Sequence, residues 1–184
     1  MIKNMVMQVE TSRDVIFLED CHKYNIGTDF SYDAMYGSIY FFEAKATTYG
    51  LMKTSDEFAA ELKFEFIRTA DILVTVDGLT DRYCYSPIHD ALNTNKEFKQ
   101  SHKNHEYLAY IRSLYVPPVY SNRGIERYIL KDIEEVIDYC FRLDFGYILA
   151  DLTTEDFEAG GVYEDFIAHD FEPVGSDAVI KKVY

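Results

Sequence analysis

A chain of 184 residues that is 48% hydrophobic holds enough apolar side chain for one well-buried core and too little for two, so residues 1–184 are expected to form a single domain. Its formal net charge of −14 argues against sequence-independent binding to nucleic acid, which depends on Lys and Arg neutralising phosphates, and favours cationic partners such as amines or basic proteins. Three cysteines stand at unrelated spacings, no apolar run reaches membrane-spanning length, and no basic-then-hydrophobic leader opens the chain. These features suit a soluble cytoplasmic protein with reduced thiols and no membrane contact.

In chain order, Met5 to Glu10 alternates as a short strand, and Ser12 caps a helix that runs to Tyr24. The aromatic-dense segment from Phe30 to Ala46 reads as a helix. A capping-type start at Ser55, Asp56 and Glu57 opens a helical or mixed segment through Arg68. Ala70 to Val76 is a β-branched strand, Asp77-Gly78 a turn and Asp81 to Pro87 the return strand of a hairpin. Asn93 to His105, with Lys96, Lys99, His102, Lys103 and His105, is a locally basic stretch. It reads as a solvated loop or as a contact for an outer phosphate, and its two histidines lack a third ligand, so no metal is expected.

The aromatic and β-branched run from Tyr107 stops at Pro117 and Pro118, which cannot donate ladder hydrogen bonds, and so predicts a strand with an abrupt end. Ile125, Ile129, Ile133, Val136, Ile137 and Cys140 recur at steps of three and four and predict one amphipathic helix. Gly146 to Asp151 is a compact apolar strand ending in an acid. Thr153 or Thr154 caps a helix that reaches about His169. The closing residues form two strands around Gly175, Ser176 and Asp177, with Lys181 and Lys182 protecting the outer one.

The strand, the Gly124 turn and the helix start make a physical device. The first N–H groups of a helix lack partners within it and carry partial positive charge, so anions, phosphate above all, collect there. Leu114 to Leu130, LYVPPVYSNRGIERYIL, resembles the acetyl-CoA motif of the GNAT N-acetyltransferase superfamily. There a strand ending in hydrophobic-Val-x-Pro leads through Gln/Arg-x-x-Gly-x-Gly/Ala into a Leu-rich helix. Leu114, Tyr115, Val116, Pro118, Tyr120, Arg123, Gly124, Ile125, Arg127, Ile129 and Leu130 suit that pattern, while Ser121 replaces Gln or Arg and Glu126 replaces the second Gly or Ala.

A second stretch is similar to the same family. Asp156, Ala159, Val162 and Tyr163 match its Asn-x-x-Ala-x-x-Leu/Phe-Tyr helix, and Asp170 to Gly175 its Gly-Phe turn and following strand, with three residues too many between. Counted back from Phe171, the family's tyrosine position falls on Phe166.

The resemblance implies a mixed α/β (α+β) fold, a mostly antiparallel central sheet flanked by helices, and acetyl-CoA as co-substrate. Leu114, Tyr115, Val116, Ser121, Asn122, Arg123, Gly124, Ile125, Glu126 and Arg127 are then the cofactor-binding residues. It also implies transfer of the acetyl group to a primary amine on a small molecule or peptide, with a homodimer as a common state. An oxyanion would take a backbone N–H near Tyr115 or Val116, where the ladder splays in this family. Tyr163 would protonate the leaving thiolate, and Glu106, His105 or Asp151 would accept the amine's proton. The other reading is a catalytically silent relative whose acidic, DNA-imitating face binds a basic protein.

Overall fold

The computed structural model describes residues 26–33, 36–47, 50–53, 57–72, 86–120, 123–153 and 162–183. The strand and helix expected before Ile26 therefore lie outside the described residues, as do Cys21 and Cys84. The strands are β1 (Ile26–Asp33), β2 (Tyr36–Thr47), β3 (Gly50–Lys53), β4 (Ala60–Arg68), β5 (Tyr107–Tyr115), β6 (Phe145–Asp151), β7 (Glu172–Val174) and β8 (Ala178–Lys182). They are ordered β1-β2-β4-β5-β6-β8-β7, with β3 paired to the far end of β2. Every neighbouring pair is antiparallel except β5 and β6.

The mixed, mostly antiparallel sheet flanked by helices is the fold class the sequence predicts, but three segments differ. Phe30 to Ala46 is not a helix: it runs through β1 and β2, where Ile39 and Phe41 are buried at alternate positions. Thr54 to Arg68 is not helical where described from Ala60 onward. In β4, Leu62, Phe64 and Phe66 point into one core while Glu61, Lys63 and Glu65 take the other face, a period of two that no helix accommodates. Thr69 to Asp71 forms a 3₁₀ turn, and Ser86 and Pro87 open a helix, so neither described end of the expected hairpin is a strand. Proline suits a first helical turn because it has no N–H to leave unpaired.

The helices are α1 (Ser86–Thr94), α2 (Lys96–Ser101), α3 (Ile125–Lys131), α4 (Ile133–Phe141) and α5 (Val162–Ala168). The basic stretch is thus mainly helical, with the Asn95 side chain accepting from the Phe98 amide at 2.9 Å to cap α2. His102 is buried against the Phe98 ring and its Nδ1 meets the Phe98 carbonyl oxygen at 2.9 Å. Among the described residues no three His, Cys, Asp or Glu side chains are grouped to hold a metal. The single helix predicted from Ile125 is two, because Asp132 leaves the helical region at φ −109°, ψ 16°. None of the described helices is long and apolar enough to cross a membrane.

One core lies between the sheet and α3 with α4, built from Phe64, Phe66, Ile111, Leu114, Ile129, Ile137 and their neighbours, and it buries Cys140 outside any disulfide. A second lies between the other face and α1 with α2, where Leu108, Tyr110, Tyr147 and Leu149 meet Ile88, Leu92 and Phe98. The last strand in sequence is not the outer one. β8 runs between β6 and β7, and Lys181, instead of guarding an edge, is buried and paired with Glu134 at 2.8 Å.

The amino-terminal ends of the two parallel strands are clamped together. His105 Nδ1 meets Asp144 Oδ1 at 2.8 Å, the Glu106 amide donates to Asp144 Oδ2 at 3.1 Å, and the Tyr107 amide donates to the Asp144 carbonyl at 2.9 Å. The hydrogen bond from His105 holds the Asp144 carboxyl below its usual range. The His105 ring lies so close over Gly146 that a Cβ there would sit 2.1 Å from its Cδ2.

Candidate functional site

At the other end the same two strands part. β5 and β6 pair from Tyr107↔Phe145 as far as Ile111↔Ala150 and no further, although β5 continues to Tyr115. Two local causes drive the separation. On the β4 side, Lys63 pairs with Ser113 but Phe64 with Ile111, so Arg112 is an extra residue that bends β5. On the β6 side, the Leu152 amide donates to the Asp177 carbonyl at 2.7 Å, which ties the end of β6 to the turn before β8. From Arg112 to Tyr115, the edge of β5 turned toward β6 has no strand paired to it among the described residues.

The chain leaves this gap through a turn in which the Tyr120 amide donates to the Pro117 carbonyl at 2.8 Å. Gly124 then opens α3 with φ 72° and ψ 24°, a left-handed conformation that glycine adopts without the penalty a side chain brings. Leu114 and Ile125 are buried in the core, so only their backbone groups are available to a ligand. Tyr115 and Val116 are partly exposed at the strand end. The Arg123 guanidinium lies over the Tyr120 ring at 5.0 Å, and Glu126 is half-buried in the first turn. Arg127 points to α5, where its Nε and Nη2 donate to Asp165 Oδ1 at 3.1 and 3.0 Å. Ser121 and Asn122 lie outside the described residues.

The three candidate catalytic residues fare differently. Asp151, at the end of β6, is beside the point where the strands part. Its Oδ2 accepts from the Tyr110 hydroxyl at 3.0 Å, and its Oδ1 accepts from the Thr153 amide and hydroxyl at 3.0 and 2.6 Å. Glu106 stands at the other end of the strand pair: it precedes β5, so the nine-residue strand puts it about 30 Å from Val116 along the chain direction. His105 stands at the same end as Glu106. Tyr163 is 47% exposed in the first turn of α5, whereas Phe166, which falls on the family's tyrosine position, is fully buried against Phe171 and has no hydroxyl.

The sequence reading missed Tyr110, Glu65 and Arg112. All three lie at or beside the parting point: Arg112 Nη1 meets Glu65 Oε2 at 3.3 Å, and its guanidinium is 5.7 Å from the Tyr110 ring centroid. Glu65, Tyr110 and Asp151 are buried polar groups in a single neighbourhood, which is costly unless they are paired. Two cavities elsewhere contain none of the residues at the parting point. One, of about 560 Å³, borders Lys181 and Lys182; the other, of about 460 Å³, lies by the His105 clamp.

No protein-family model matches the chain, and no curated protein matches it as a relative. Among solved structures it is similar to Arabidopsis thaliana NAA60 in complex with acetyl-CoA, at 14% identity and a TM-score of 0.47, covering 82% of this chain and 78% of that one. It is also similar to arylalkylamine N-acetyltransferase 2 from Aedes aegypti, at 13% identity and a TM-score of 0.42, covering 79% of this chain and 70% of that one.

Proposed function

We propose that the protein is an N-acetyltransferase that moves an acetyl group from acetyl-CoA to a primary amine. The observation that carries the reading is the loss of β5–β6 pairing after Ile111↔Ala150, which exposes a strand edge directly before a glycine turn and a helix start. An exposed strand edge can hydrogen-bond an extended chain carrying amide groups, as the pantetheine arm does. The Gly124 turn and the first amides of α3 suit a diphosphate, with Arg123 beside it.

Bound acetyl-CoA would supply an activated acetyl thioester at the gap. The backbone amide of Tyr115 or Val116 would donate to the carbonyl oxygen as it gains charge. Asp151 is the base. Oδ2 already accepts from Tyr110 but keeps a second lone pair, enough to take the amine's proton through a water. Tyr163 would return a proton to the departing sulfur.

The direct test is binding: acetyl-CoA at millimolar concentration should raise the melting temperature of the full chain, and no shift would retire the transferase reading. Glu126→Ala removes a carboxylate facing the same dipole as the diphosphate. It should tighten acetyl-CoA binding about fivefold by calorimetric titration, and an unchanged affinity would move the diphosphate away from this helix start. Tyr163→Phe should lower turnover about tenfold with cofactor affinity intact; full turnover would remove Tyr163 from the reaction.

A further inference from the structure

On the sheet face away from α3 and α4, Tyr40, Glu61 and Tyr115 lie in register on β2, β4 and β5, as the pairs Tyr40↔Glu61 and Glu61↔Tyr115. The Phe58 ring meets both tyrosines edge-on, at 5.9 Å from Tyr40 and 6.2 Å from Tyr115. Glu61 therefore lies in register between the two tyrosines, with its side chain 12% exposed. Burial and the hydrogen bond to Glu61 push the Tyr40 hydroxyl up from its usual range, which keeps it a donor to that carboxylate.

The only described cation on Glu61 is Lys63, its neighbour but one on β4, at 3.1 Å. Lys63 is half exposed on a flexible four-carbon stem, so its ammonium can leave for water at little expense. Tyr115 belongs to the length of β5 that β6 has abandoned and is 36% exposed, so this group of side chains borders the gap. A carboxylate framed by aromatic rings is the recognition chemistry of an ammonium, which gains both a charge-assisted hydrogen bond and ring-face attraction.

We propose that Glu61, framed by Tyr40, Phe58 and Tyr115, receives an ammonium group of the acceptor, and that the Lys63 ammonium holds this place until the acceptor displaces it. The acceptor class is then a cationic amine with an aliphatic or aromatic stem that can lie against Tyr115. This proposal rests on the transferase reading for its place in catalysis, but amine binding can be measured without turnover.

The experiment titrates the full chain calorimetrically with acetyl-CoA, and separately with tyramine and with 1,4-diaminobutane. Glu61→Gln should weaken binding of these amines about tenfold while leaving acetyl-CoA affinity unchanged. Lys63→Gln, at a half-exposed position where folding is not at stake, should tighten amine binding several-fold by removing the competitor. A merely structural Lys63–Glu61 pair would not produce this opposite sign. Amine affinity that Lys63→Gln leaves unchanged or weakens would overturn the proposal, as would wild-type protein that binds acetyl-CoA and neither amine. Amine binding without acetyl-CoA binding would support the ammonium site and defeat the transferase reading alone.

Discussion

Asp151→Asn is expected to lower turnover with acetyl-CoA and a primary amine by two to four orders of magnitude, the range general-base removal normally gives. The substitution suits the site because an amide retains the acceptor oxygen that Thr153 needs and the approximate shape that Tyr110 packs against. It removes the negative charge that takes the proton. Acetyl-CoA affinity should change less than about threefold, because the ligand's proposed contacts run along β5 and the Gly124 turn. Stopped-flow or endpoint detection of free CoA thiol measures turnover, and far-UV melting separates chemistry from folding. Turnover within about threefold of wild type would show that the proton leaves by another route.

Gly146→Val is the largest stability change we expect. A Cβ at this position would stand 2.1 Å from His105 Cδ2 and 2.6 Å from its Cγ and Nε2, so the ring must move. Moving it breaks the His105–Asp144 pair and loosens the junction where the two parallel strands begin. Overpacking of this kind destabilises by about 3 kcal/mol, which for a chain of this size lowers the melting temperature by roughly 6–12 °C. His105→Ala in the Gly146→Val background should recover part of the loss, since it removes the ring that collides. No recovery in that double-mutant cycle would place the strain elsewhere than against His105.

Much of the carboxyl-terminal half was legible because its signals are local. Pro117 and Pro118 stop a strand by lacking donors, Gly124 permits a left-handed turn, and the Gly175 turn separates β7 from β8. The amino-terminal half was misread where a strand's partner, rather than its own residues, decides the structure. β4 carries alternating charge and apolar groups, yet the acidic, cap-like residues before it suggested a helix; pairing with β2 and β5 settled the matter. The aromatic density of β2 concealed its alternation in the same way. The split at Leu114 to Val116 could be named from a motif, but its cause could not. A bulge at Arg112 depends on the register with Lys63 and Phe64, which are about 50 residues distant in the chain. Glu106 and Asp151 both stand at strand ends in the sequence, and only the parallel arrangement of β5 and β6 puts Glu106 at the closed end, with Asp144, and Asp151 at the other.

The extra residue at Arg112 does not alter which way the later side chains point, because Leu114 still faces the same core as Ile111 and Tyr115 the same side as Tyr110. Deleting it would therefore keep the packing and straighten the ribbon, removing one of the two causes that hold the neighbouring strand away. One amino acid in the backbone, whatever its side chain touches, helps turn a wall into a doorway.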